Sequence, residues 1–159
     1  MIVRRFLQYC IAAALFLLPL RVVRGAELPN FVRTTNNSAA ARPQVVPHVE
    51  KYVAALKSDD SSARAKLIDE VLPGGPPAVN VTAPFLDVYA DVLNAELLKL
   101  ANDPNPRVRL NVAIVTAKVA EKAKNVRLIP TVVDLLDDPH EGVVSWALKA
   151  AGYVLIPAH

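Results

Sequence analysis

Along most of the chain, apolar residues recur three and four positions apart, the period of a helix with one buried face. Over 48–57, Val49, Tyr52, Val53 and Leu56 share a side, with Pro47 near the first turn. Over 61–72 the stripe is Ala63, Leu67, Ile68 and Val71, and Asp60 or Ser61 can cap it. Pro73-Gly74-Gly75-Pro76-Pro77 stops that helix firmly. Pro84 opens a long helix to about Ala101, with Leu86, Tyr89, Leu93, Leu97 and Leu100 inward. A fourth starts near Pro106 and follows Val108, Val112, Val115 and Val119. A fifth spans about 127–136, with Pro130 tolerated only in its first turn. The sixth runs over about 141–155 until Pro157. No strand pattern competes. The expectation is an all-α chain whose six helices fall into three pairs, 47–72, 84–122 and 127–156.

The segment 26–46 shows no such period. It holds Thr34-Thr35-Asn36-Asn37-Ser38, an alanine run and Pro43, with Pro47 just beyond, and reads as a flexible linker. The helical repeat domain is therefore expected over 47–156.

The last two pairs align at an offset of 35 residues. Leu97-Leu98-Lys99-Leu100-Ala101-Asn102-Asp103-Pro104 lies over Val132-Val133-Asp134-Leu135-Leu136-Asp137-Asp138-Pro139. Downstream, Val108, Val112, Val115 and Val119 lie over Val143, Ala147, Ala150 and Val154. A repeated helix, Asp-Pro turn and helix is the mark of a solenoid, in which each pair buries its face only by stacking on a neighbour.

The stretch from Leu128 to Pro139 resembles the first helix and turn of a HEAT repeat, and Asp103-Pro104-Asn105-Pro106-Arg107-Val108-Arg109 resembles its turn and second-helix start. The likeness covers 97–155 well and 47–72 weakly, where Lys57-Ser58-Asp59-Asp60-Ser61 stands for the turn without proline. The period is nearest to the short HEAT-like variety. The resemblance implies a right-handed superhelical α-solenoid of about three helix pairs and, most often, a protein-binding or scaffold role. A minority of short-repeat members are lyases acting on bilin chromophores, so an enzyme using the concave groove is the alternative, and a structural fragment of a longer array is another. The resemblance also implies an inter-repeat ladder, in which Arg109 reaches Asp138 and Arg64 reaches Asp103.

The first 25 residues carry a different pattern. Arg4 and Arg5 precede a 15-residue apolar run, Phe6 to Leu20, interrupted only by Gln8 and Tyr9. Val23-Arg24-Gly25 places modest side chains three and one before a cut after Gly25. The run is short against the roughly 20 residues of a membrane span. A cleaved signal peptide over 1–25 and export to a periplasm or the outside are expected. The alternative is an uncleaved anchor, the one route to a membrane.

Removing that segment changes the charge. Of 18 Lys and Arg, four precede Ala26, leaving 14 against 15 acidic residues and a net charge of −1. The pI near 9.1 belongs mostly to the leader, and basicity gives no case for nucleic acid. Cys10, the single cysteine, lies in the leader. The remainder has no thiolate for a disulfide, nucleophile or metal site.

No chemical motif stands out, and no cofactor, metal or catalytic set is expected. His48, His140 and His159 are far apart, the first two near expected helix starts and so at the surface. Asp137, Asp138 and Glu141 read as a helix N-terminus favoured by negative charge, not a calcium loop. Arg107, Arg109, Lys118, Lys122, Lys124 and Arg127 make 106–127 basic but without aromatics to stack bases, and read as a solvated face. Asn36-Asn37-Ser38 and Asn80-Val81-Thr82 match the glycosylation pattern.

The last helix is apolar nearly all round. Val143, Ala147, Ala150 and Val154 form one stripe; Val144, Leu148, Ala151 and Leu155 form a second, with Trp146 beside them. One stripe packs inward. The other, with Val144, Leu148 and Leu155 as candidate contact residues, needs a protein partner, further repeats or a second copy of the chain. Trp146, three after Val143 and four before Ala150, reads first as partly buried, and as a further contact residue in the alternative.

Overall fold

The computed structural model describes residues 28–58, 61–72 and 80–155; the expected leader, the Pro-Gly loop and His159 lie outside them. Within the described residues the chain is all-helical, with no strand. The elements are α1 (Asn30–Arg33), α2 (Ser38–Ala55), α3 (Ser61–Asp69), α4 (Ala83–Ala101), α5 (Pro106–Ala123), a 3-10 turn (Val126–Leu128), α6 (Ile129–Leu136) and α7 (Glu141–Val154).

Asparagine and proline set most helix starts. The Asn37 side chain accepts the N–H groups of Ala39 and Ala40 at 3.1 and 3.3 Å, capping α2. Asn105 does the same for Arg107 at the start of α5, and Asn125 for Arg127 at the 3-10 turn. Pro84, Pro106 and Pro130 occupy first turns, where the missing N–H costs nothing. α5 ends on Lys124 in the left-handed conformation, φ 46°, and its N–H closes on the Ala120 carbonyl.

The expected linker over 26–46 is corrected: it is helical over 30–33 and again from residue 38. α2 runs through Pro43 and Pro47. Both prolines are exposed and stand four residues apart, so the carbonyls they leave unpaired face water. Ala41 and Val45, on the opposite side, are fully buried and extend the stripe of Val49 and Tyr52 by two turns.

α2 packs on α3, α4 on α5 and α6 on α7. Along the chain α2 also meets α4, and α4 meets α6; α3 meets α5, and α5 meets α7 most extensively of all. One continuous core joins them, with Tyr89, Phe85, Leu93, Leu97, Leu128 and Leu135 fully enclosed. Each such side chain contributes about 1.5–3 kcal/mol on burial. The Tyr89 hydroxyl donates to the Leu67 carbonyl at 2.7 Å, serving an acceptor in the last turn of α3. Its pKa lies well above the ordinary value, first because it is buried and then because Glu70 is near. No helix among the described residues is long and apolar enough to cross a membrane.

Candidate interaction surface

One polar link between helix pairs lies at their turns. Arg109 enters α5 just after the Asp103-Pro104 turn. Its Nε and Nη2 donate to the two Asp138 oxygens at 2.5 and 3.2 Å, and its Nη1 donates to the Asp103 carbonyl at 2.8 Å. Asp138 also accepts the His140 N–H at 2.8 Å. The hydrogen bond to Asp138 raises the Arg109 pKa. Burial pushes the Asp138 carboxyl up, but the bonds from Arg109 and the His140 N–H outweigh it, and the acid is held below its ordinary value. One forked side chain thus ties the turn before α5 to the turn before α7.

Arg64 and Asp103, expected as a second rung, are not joined by an ion pair among the described residues. Arg64 donates to the Asn111 amide oxygen at 3.2 Å, and Asn111 donates to the Leu56 carbonyl at 3.0 Å. Lys57 takes the place beside Asp103, at 3.7 Å. Asn111, two residues beyond Arg109 on α5, offers Arg64 this acceptor. A link that periodicity did not signal joins α4 to α6: the Asn94 amide oxygen accepts from the Thr131 N–H at 3.2 Å and hydroxyl at 2.8 Å.

His48 is also a correction. Because α2 starts ten residues earlier than expected, His48 lies in its middle and is buried. Its Nε2 is 3.3 Å from Glu70 Oε1, and its ring meets Tyr52 edge-on at 4.9 Å. Glu70, also buried, accepts the Leu28 N–H at 3.1 Å and faces Arg33 Nε at 3.7 Å. Arg33 in turn donates to the Leu72 carbonyl at 3.0 Å. This cluster fastens the start of the described chain to the end of α3. His140 is exposed, and its Nδ1 caps α7 by accepting the Gly142 N–H at 3.1 Å.

The basic stretch is largely neutralised in place. Arg127 lies 3.4 Å from Asp91 and 3.8 Å from Asp87, Arg42 lies 2.8 Å from Asp91, and Asn125 donates to Asp87. Arg42, Asp87, Asp91 and Arg127 line an open polar groove of about 480 Å³ between α2, α4 and the 3-10 turn. Glu121 accepts from Lys122 and Lys118, whose hydrogen bonds lower its pKa. No group of three or more His, Cys, Asp or Glu among the described residues is arranged to hold a metal ion.

Of the large apolar side chains exposed among the described residues, Phe31 lies on α1 and Val126 on the 3-10 turn, and the others lie on α6, on α7 or at its C-cap. Leu148, Leu155 and Val133 are 60%, 58% and 52% exposed, and Tyr153 is partly so. Val144 and Trp146 are half-buried. Trp146 packs against the core while Lys149 lies over its ring at 4.2 Å. The inward stripe of α7, Val143, Ala147, Ala150 and Val154, is buried. Leu148 and Leu155 thus lie on the outward side with Val144 beside them, whereas Trp146, expected with them, turns back toward α5, where Lys118 lies 6.0 Å from its ring. Comparisons with family models, with curated proteins and with solved structures return no match.

Proposed function

We propose that the chain is an exported HEAT-like α-solenoid segment that works as a protein-binding or scaffold module, with α6 and α7 as its contact face. Two rows of helices support the solenoid reading, α2 with α4 and α6 in one and α3 with α5 and α7 in the other, each meeting its successor. The 35-residue register and the Arg109–Asp138 rung support the HEAT-like reading. Export rests on the basic and apolar pattern before Gly25.

The binding reading rests on one observation. Leu148, Leu155 and Val133 are exposed together on the last pair. A solvated helix face normally carries charge there, and contiguous exposed apolar surface marks contact sites. The test is capture of partners from the native host with wild-type chain and with Leu148→Glu. Proteins retained by the first and lost by the second support the reading. Identical profiles from two equally folded chains overturn it.

A further inference from the structure

We infer that the occupant of the α6–α7 face is the same face of a second copy of this chain, docked end to end about a two-fold axis; this rests on the reading of that face as the contact surface.

The repeat register shows what the face is built from. On α5 the side toward α7 is marked by Arg109, which holds Asp138, and by Leu110, whose Cδ1 lies near Gly142. Ala113, Ala117 and Ala120 continue that side at helical spacing and are buried. Thirty-five residues later the same positions are Val144, Ser145, Leu148, Gly152 and Leu155. The surface that one pair buries against the next is, on the last pair, open. It is a helix-packing face by position.

Its composition is not that of another stacking step. Small alanines on α5 let α7 lie close. Leu148 and Leu155 stand where Ala113 and Ala120 do, so a pair added in the same geometry meets two bulky side chains at the contact. Val144 stands where Arg109 does, so no rung reaches an Asp-Pro turn beyond. The cover is therefore an apolar surface held farther off and needing no turn aspartate.

The opposite end of the molecule is not that surface. Apart from Arg42, which reaches Asp91 on α4, the exposed positions of α2 and α3 carry Gln44, Glu50, Lys51, Ser61 and Asp69 beside alanines and prolines, with no large aliphatic side chain among the described residues. Among the described residues Phe31, 70% exposed on the short α1, is the large apolar side chain exposed at that end. Head-to-tail stacking sets leucines on charges. A two-fold contact instead covers both apolar faces at once. The face is also self-complementary in charge: Asp137 and Glu141 are exposed at the turn and first residue of α7, and Lys149 stands about two turns along the helix. Antiparallel pairing of α7 with its copy brings Lys149 of each chain toward the acidic border of the other.

Light scattering on fractionated chain over a wide concentration range tests this. Wild type is expected as a closed dimer. Leu148→Glu with Leu155→Glu should be monomeric with unchanged helicity, its self-affinity weakened by about 100-fold or more, and Phe31→Glu should remain dimeric. Wild-type hydrogen exchange, read at low and high concentration, should gain protection in 133–155 alone, which decides the matter even where a variant misfolds. A wild-type monomer at the highest concentration, an open-ended polymer, or a dimer indifferent to both leucines overturns the inference. A monomer that still captures another protein through Leu148 overturns it too, while leaving the binding-face reading intact.

Discussion

Arg109 holds both oxygens of Asp138, 29 residues away, while its remaining nitrogen holds the Asp103 carbonyl of its own turn. Asp138 is almost wholly shielded, with a side chain 3% exposed, and Arg109 is 12% exposed. Arg109→Ala removes the cation and leaves a shielded carboxylate with the His140 N–H as its remaining donor. A charged hydrogen bond of this kind contributes about 1.5–3 kcal/mol. Arg109→Ala should therefore lower Tm by roughly 5–10 °C. Arg109→Lys, which cannot span both oxygens and the carbonyl, should recover less than half of that. Thermal melts read by circular dichroism check both, and an unchanged Tm in the alanine variant sinks the rung as a stabilising contact.

The same pair sets a direction with pH. Folding holds the Asp138 carboxyl below its ordinary value, so the folded state releases that proton more readily than the unfolded one. The stabilisation is complete above the unfolded value, about 3.9, and is lost as pH falls through the lower, folded value. Asp138→Asn does not titrate. Wild type should exceed it in stability at neutral pH, and the gap should narrow below about pH 4. Parallel denaturant titrations from neutral to acidic pH measure the gap; a constant difference throughout rules out Asp138 as the titrating partner.

How much of this was readable in the sequence depends on how local each feature is. α4, α5, α6 and α7 follow from Val and Leu at helical spacing between Asp-Pro turns, and their observed bounds lie within about two residues of those expected. The Arg109–Asp138 contact follows from the repeat offset, because both residues sit at turns that the offset aligns. The start of α2 was hidden. With alanines and Pro43 in place of an apolar stripe, the segment before Pro47 reads as a linker, although Ala41 is buried and both prolines lie on the wet side. The groove was hidden for another reason: Arg42 and Asp91 are 49 positions apart, and only the lateral fit of α2 on α4 brings them together. Arg64's choice of Asn111 likewise depends on where α3 lies along α5.

Glu70 anchors the opposite end. It accepts the Leu28 N–H and lies beside His48 and Arg33, in a setting that water scarcely reaches. Glu70→Ala takes the carboxylate from two basic side chains at once. Removing one partner from a buried ionic contact costs about 3–5 kcal/mol. The loss should be uneven: amide exchange should quicken first over 28–33, where Glu70 and Arg33 together hold α1, and little in α6 and α7 near their own unfolding limit. Exchange that accelerates uniformly along the chain would show that Glu70 supports the whole core and not this end alone.

The two glycines of α7 give opposite expectations. A glycine inside a helix costs about 0.5–1 kcal/mol against alanine. A Cβ built on Gly152 meets nothing within 4 Å, so Gly152→Ala should gain that amount and raise Tm by a few degrees. A Cβ on Gly142 lies 3.1 and 3.2 Å from two atoms of the His140 ring. The same ring caps α7 by accepting the Gly142 N–H. To make room it must shift, weakening a cap worth about 1 kcal/mol and cancelling the helical gain, so Gly142→Ala should be neutral or destabilising. Because Gly152 lies on the proposed docking face, both variants are best compared in a Leu148→Glu background, where association does not enter the melt. Equal stabilisation by the two alanines would show that the His140 ring yields freely and that its cap contributes nothing.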